Sequence, residues 1–225
     1  MRHWDWDGMV EANRVRLIGL LAGLSTLLGS GPVVRRALWR RVLASLVPME
    51  SALRRLIFVL ARDMTAAPPP RPEGAGAERR AKAGGNRGAA FRLTDRPRIP
   101  VAPAATCSPR SVPRVLFLGE GPEPRAPVPM EDDPVDCAAL RRRIAAMAAA
   151  LDDMPAQARR LARWLARGER DRRAGRWRRP YPFRSGRPPG HRAHGRGDAD
   201  ETLADCHDLA VRCLRMIETD GATAP

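Results

Sequence analysis

Apolar residues recur at helical spacing through residues 132–217, in two seams separated by a loop. Leu140, Ile144, Met147, Leu151, Met154, Ala158, Leu161 and Leu165 follow one another at alternating gaps of four and three. That is a stripe on one helix face, which has to be buried against something. Asp133-Pro134 offers a start: the aspartate side chain accepts hydrogen bonds from the free amides of a first turn, and proline is tolerated at the first helical position. Pro155 removes a backbone donor and crowds the carbonyl of Leu151, so the helix kinks or restarts there, with Asp152 and Asp153 available as caps. The unchanged phase of the stripe favours a kink. Leu203, Cys206, Ala210, Cys213 and Ile217 form the second seam, behind Asp198, Asp200 and Glu201, acids suited to a helix N-terminus. The matching spacings predict that the two helices pack on each other.

Upstream, residues 33–47 and 50–64 read as two amphipathic helices joined at Pro48. In the first, Val34, Leu38, Val42 and Leu46 share a face, with Arg36, Arg40 and Arg41 largely opposite. In the second, Leu53, Ile57, Leu60 and Met64 form the stripe, and Arg54, Arg55 and Arg62 are expected off it. Glu50 and Arg54, four apart, make a weakly favourable pair. A small helical bundle buries both stripes. Arg-flanked apolar helices also suit an anionic membrane surface, so residues 17–60 are the membrane-facing alternative. Residues 17–34, LIGLLAGLSTLLGSGPVV, are the most apolar run. A membrane span needs about 20 apolar residues, and this run is short and broken by Gly19, Gly23, Gly29, Gly31 and Pro32. Asp5, Asp7 and Glu11 precede it and no small-residue cleavage site follows, so a secretory signal is not expected.

The 19 glycines and 22 prolines concentrate at residues 68–129 and after Gly168. Residues 65–131 are predicted to be a largely disordered linker, with one β-prone run at 114–119 that docks on the helices or pairs with residues 91–93. The organisation expected is an N-terminal helical segment (1–64), that linker, a hairpin-like helical unit (132–217) with a basic loop at 172–197, and a disordered tail (218–225). The fold class is mainly α with long disordered segments: N-terminal amphipathic helices, then a long Pro-kinked helix packed against a C-terminal helix.

Composition changes this picture in two ways. Apolar residues make up 44% of the chain, but many are alanine and aromatics are only 4%, so a large core is not expected. A net charge of +15 attracts nucleic acid, anionic lipid or acidic proteins. Lys82 is the only lysine, however. Arg, Ala, Gly and Pro share GC-rich codons, so coding bias alone inflates the charge. Cys107, Cys137, Cys206 and Cys213 show no two-residue gap of a zinc or redox pair. Free thiols on an apolar face fit a reducing compartment, and the cytoplasm is expected, with the inner membrane face as the alternative.

Residues 172–197 hold nine arginines and no acid. Arginine neutralises phosphate, and planar rings stack on unpaired bases. The candidate nucleic-acid ligands are therefore Arg176, Trp177, Arg178, Arg179, Tyr181, Phe183, Arg184, Arg187 and Arg192. Within the loop, Gly186-Arg187-Pro188 resembles the core of an AT-hook, a minor-groove binder, but Ser185 stands in place of its first arginine. The competing reading is a solvated loop whose aromatics pack back on the helices. His191, His194, Cys206, His207 and Cys213 do not make a metal set: the first two lie in a glycine-rich loop, and adjacent Cys206 and His207 diverge by about 100° on a helix.

No nucleophile elbow, nucleotide fingerprint or zinc-protease motif is present. Asp132 with Asp133, and Asp152 with Asp153, sit at helix starts, where capping explains them. No catalytic residue, cofactor, metal or small-molecule substrate is expected. The segments LRRRIAAMAAALDDMPAQARRLARW, GRPPGHR and ADCHDLAVRCL, in this order, resemble an uncharacterised family of short alphaproteobacterial proteins of unknown function. The similarity spans residues 91–214 and implies an expressed bacterial protein without assigning an activity or a site. The function expected is a non-enzymatic basic helical protein that binds nucleic acid through the Arg/aromatic loop. The alternatives are a membrane-surface protein and a helical interaction module that homodimerises through its seam.

Overall fold

The computed structural model describes residues 5–64, 90–95, 130–177, 180–183, 186–193, 195 and 197–222. The described chain is mainly α. Helix α1 (Trp6–Leu28) opens where Asp5 accepts a hydrogen bond from the amide of Gly8 at 2.9 Å. It ends at Gly29, whose positive φ of 59° a side chain disfavours. Val10, Asn13, Leu17, Leu21, Leu24 and Leu28 recur every three or four residues and form its buried face.

The chain then turns extended at Pro32. Strand β1 (Val33–Arg35) pairs antiparallel with β2 (Pro134–Asp136), Val34 facing Val135 and Arg35 facing Pro134. Two expectations change here. Residues 33–35 are not a first helical turn, because β-branched Val33 and Val34 find strand partners in Asp136 and Val135. Pro134 is a ribbon residue, where its missing N–H is tolerated at an edge. Helix α3 (Ala138–Asp152) starts after it, with Asp136 accepting from the Ala138 amide at 2.9 Å.

Helix α2 (Arg36–Ala61) is continuous for 26 residues, with Pro48 inside rather than at a joint. Proline leaves the carbonyl four residues back without its helical donor. Arg192 supplies the replacement: its Nη2 donates to Ala44 O at 3.0 Å. Gly190 presses its backbone against the same place, with φ at 86°. A Cβ there would lie 2.6 Å from Pro48 N and 2.8 Å from its Cδ. The GRPPGHR segment thus fits over the proline.

The seam of residues 140–165 is realised in full. Leu140, Ile144, Met147, Leu151, Met154, Ala158 and Leu161 are buried and Leu165 is half-buried. The helix restarts at Asp153, whose φ of −127° and ψ of 59° are not helical. Its side chain caps α4 (Met154–Arg173) by accepting from Ala156 N at 3.1 Å. Helix α5 (Asp198–Ala222) buries Leu203, Cys206, Ala210 and Cys213. Ile217, expected in that seam, is 41% exposed. The helix also extends through residues 218–222, where the sequence predicts a disordered tail.

The two seams do not chiefly bury each other. α4 and α5 pack on α2, which also receives α1, and α3 divides its contacts between α1 and α2. α2 and α5 run in the same direction: Ser45 and Met49 share a cleft with Asp198 and Asp200, Arg55 meets His207, and Arg62 lies near Cys213. Ile217 is one turn beyond the end of α2, which explains its exposure. A helix hemmed in by several neighbours must be apolar nearly all round, and every residue from Ser51 to Val59 is buried. The N-terminal segment and the C-terminal unit therefore share one core. Part of the expected linker joins it too. Phe91, Leu93 and Asp95 are buried, with Arg54 Nε donating to Arg92 O at 2.9 Å and Arg160 Nη1 to Phe91 O at 3.0 Å. The β-prone run at 114–119 lies outside the described residues. No described helix is long and apolar enough to cross a membrane.

Replacing Gly190 with Ala should destabilise the fold by about 2–4 kcal/mol, because both the positive φ and the contact with Pro48 are violated. Urea denaturation of Gly190→Ala checks this, and the same change at exposed Gly186 provides a φ-only reference that should lose less.

Candidate functional site

Two adjacent arginines in the middle of α2 are withdrawn from solvent, where the sequence pattern places them off the apolar stripe. The Arg55 side chain has 0% exposure and Arg54 has 10%. Arg55 spreads its donors in three directions. Nη1 donates to Ser51 O at 2.9 Å and Oγ at 2.6 Å, and Nε donates to His207 Nδ1 at 3.2 Å. Nη2 lies 3.8 Å from Asp95 Oδ2, near enough for charge attraction and too far for a hydrogen bond. Arg54 donates to Asp95 at 3.3 Å and to Glu50 at 3.2 Å. Arg143 from α3 holds the same Glu50 at 2.8 and 3.0 Å. The guanidiniums also face rings: Arg54 is 5.7 Å from the centre of Phe91, and Arg55 is 5.3 Å from that of Phe183.

The electrostatics follow from burial. Loss of water pulls both guanidiniums down, Arg55 to about 10, against the attraction of Asp95. His207 is also lowered, first by burial and then by the neighbouring Arg55 charge. Accepting a bond at Nδ1 requires that nitrogen to be unprotonated. Burial raises the seam thiols, Cys213 to about 11, so they behave as small apolar groups. Among the described residues, no group of three or more His, Cys, Asp or Glu converges as metal ligands would.

The loop residues singled out from sequence divide. Phe183 is 6% exposed and meets Phe58 edge-on at 4.9 Å. Tyr181 donates from its hydroxyl to Glu218 at 3.0 Å. Arg192 serves Ala44 O in α2. Arg176 pairs with Asp171 at 2.7 Å while staying exposed. Arg187 is exposed, and Trp177 is 88% exposed. Arg178, Arg179 and Arg184 lie outside the described residues. Two of the three aromatics therefore face the protein, leaving Trp177 toward solvent.

A second basic surface precedes the loop. On α4, Arg159, Arg163, Arg167 and Arg170 follow at gaps of four, four and three. All four are exposed, on the face opposite buried Ala158, Leu161 and Ala162, and none has an ion-pair partner among the described residues. Their neighbours are engaged: Arg172 and Arg173 both pair with Glu169, whose carboxyl is held below its usual range by Arg172. The spacing was present in the sequence, but the apolar seam on the same helix is the stronger signal. Comparisons with protein-family models, curated proteins and solved structures gave no match.

Arg55→Met should cost about 3–5 kcal/mol in urea denaturation, since Ser51, His207 and buried Asp95 lose a partner together. Adding Asp95→Asn should restore at least about 1 kcal/mol of that loss, because a buried carboxylate is then no longer left short of charge.

His207 makes a pH prediction. A base whose folded pKa is depressed leaves the unfolded state binding more protons, so stability is present above the unfolded value of about 6.5 and declines as pH falls through the folded one. The slope from one such group is at most about 1.4 kcal/mol per pH unit. Melting curves between pH 7.5 and 5 should show His207→Asn, which keeps an acceptor and cannot take the proton, with a flatter profile than the parent.

Proposed function

We propose that this is a non-enzymatic nucleic-acid-binding accessory protein whose contact surface is the arginine face of α4, continued by Arg176 and Trp177. The observation that carries the reading is the row Arg159, Arg163, Arg167 and Arg170, exposed and free of acid partners among the described residues. Four arginines over twelve positions span roughly 16 Å of helix, a length over which a nucleic-acid strand presents about five phosphates at 3.4 Å each. A rigid helix fixes their spacing, so little side-chain reorganisation is required beyond the guanidiniums themselves. Trp177 adds a flat, solvated ring suited to stacking on an unpaired base. Phe183 and Tyr181 act indirectly, by anchoring the loop that follows.

A second reading rests on α1. Opposite its buried face lie Val15, Ile18, Gly19, Ala22 and Thr26, all exposed and uncharged. This face suits shallow contact with a membrane surface, although Arg14 and Arg16 beside it are paired with Glu11 and Asp205. Flotation with anionic vesicles distinguishes the readings: the α4 face predicts that Val15→Ser with Ile18→Ser leaves flotation unchanged.

Fluorescence anisotropy with a 20-nucleotide single strand should give affinity that falls with salt at a log–log slope of about −3, for four released counterions. Changing Arg159, Arg163, Arg167 and Arg170 to Ser should flatten that slope and weaken binding by at least about tenfold at low salt. Trp177→Ala should weaken binding to single strands by about 1–3 kcal/mol with little effect on duplex. A salt-independent signal, or an unchanged quadruple variant, would remove the proposal.

A further inference from the structure

A cleft of about 600 Å³ opens between α2 and α3, and residues 90–92 close its third side. Its charged lining is lopsided: Arg54, Arg92, Arg142 and Arg143 against one carboxylate, Glu50. That carboxylate is already committed, 3.2 Å from Arg54 and 2.8 Å from Arg143. Arg92 and Arg142 remain, both exposed and without an ion-pair partner among the described residues. The rest of the lining is apolar, with Phe91, Val47 and Pro189 among it.

Each part selects for a feature of the ligand. Two uncommitted guanidiniums call for a compact dianion, and the planar fork of arginine matches phosphate oxygens in pairs. A phosphate monoester carries about −1.5 to −2 at neutral pH. The volume is far larger than a phosphate needs and falls within the range of about 300–1,000 Å³ typical of small-molecule sites. The apolar walls would cover a flat, carbon-rich body. With Glu50 answered by Arg54 and Arg143, the pair Arg92 and Arg142 remains for a ligand with one charged end.

We propose that this cleft binds a small organic phosphate, a monoester on a flat apolar body, with Arg92 and Arg142 holding the phosphate. The site is separate from the α4 arginine row, none of whose members lines it. It is also anchored to the buried charge centre, because Arg54 reaches from that centre into the cleft and Arg92 O accepts from Arg54 Nε. Occupancy would therefore tighten residues 90–95 against α2.

Phenyl phosphate is the probe, titrated calorimetrically into the full chain, with inorganic phosphate and phenol as separate arms at matched ionic strength. Phenyl phosphate should bind saturably and at least tenfold more tightly than either fragment. Arg92→Ser with Arg142→Ser should weaken it tenfold or more, and both positions are exposed, so the variant should melt as the parent does. Ala146→Trp, which fills the cleft from α3, is the second variant and should abolish binding. Phenyl phosphate binding no better than inorganic phosphate overturns the site, as does binding that survives either variant. Changing Arg163 and Arg167 to Ser separates this site from the nucleic-acid surface. Loss of phenyl phosphate binding there would mean a diffuse basic surface and overturn the cleft, whereas loss of oligonucleotide binding alone leaves the cleft standing.

Discussion

The burial of Arg54 and Arg55 in the middle of α2 is the constraint on which the other contacts depend. A buried guanidinium is tolerated only when its donors are met and its charge is opposed. Meeting them recruits one partner from nearly every side: Ser51 from the same helix, His207 from α5, Asp95 from the segment at 90–95, and Glu50 shared with Arg143 of α3. Phe91 and Phe183 complete the enclosure with ring faces. Apolar packing supplies most of the driving force, but it does not care which neighbour sits at which angle. The guanidinium fork does, and lysine, whose three donors radiate from one nitrogen, could not span partners spread around a planar group. An abundance of arginine that coding bias alone could produce has thus acquired a role at this position that depends on the shape of the group.

The irregular segments make sense against α2 as well. Residues 90–95 supply the countercharge, and the GRPPGHR segment covers the proline that interrupts the helix ladder. Several described residues of the basic loop are consequently attachments to the helices. Phe183, Tyr181 and Arg192 each satisfy something in the helices, while Arg176, Trp177, Arg187 and the arginine row on α4 are among the described residues that face solvent. The positive charge is divided between guanidiniums consumed by the fold and guanidiniums displayed by it, a division that net charge conceals.

The periodic parts of this structure were legible before any coordinates. The seam from Leu140 to Leu165 is a strong 4–3 pattern on one face, and burial follows it residue by residue up to half-buried Leu165. What could not be read was the partner. Two seams of matching period say that each needs cover, not that a third helix stands between them. Arg54 and Arg55 were placed outside because charge normally is, and only the contributions of Asp95 and His207, 40 and 152 residues away from Arg55, make their burial tolerable. Pro48 reads locally as a break, since its remedy comes from Arg192, 148 residues from Ala44. Phe91 to Asp95 lie in a breaker-rich tract whose composition hides a few anchoring side chains. Of the residues singled out in the loop, Arg176 and Trp177 are exposed and Phe183 is buried, a difference the sequence does not carry because a ring beside arginine looks the same whether it faces a base or Arg55.

The central position of α2 has a consequence for how the chain is made. The helix most enclosed in the finished fold, α2, is synthesised well before α5, which covers it most extensively. Arg55 waits for His207, 152 residues later. At about 5–20 residues per second, that interval is roughly 8–30 s. Throughout it, Leu53, Leu56, Ile57 and Val59 lack their final cover, and the guanidiniums among them keep the nascent helix hydrated. The charges that are costly to bury at the end are thus, until α5 arrives, charges that water can still solvate.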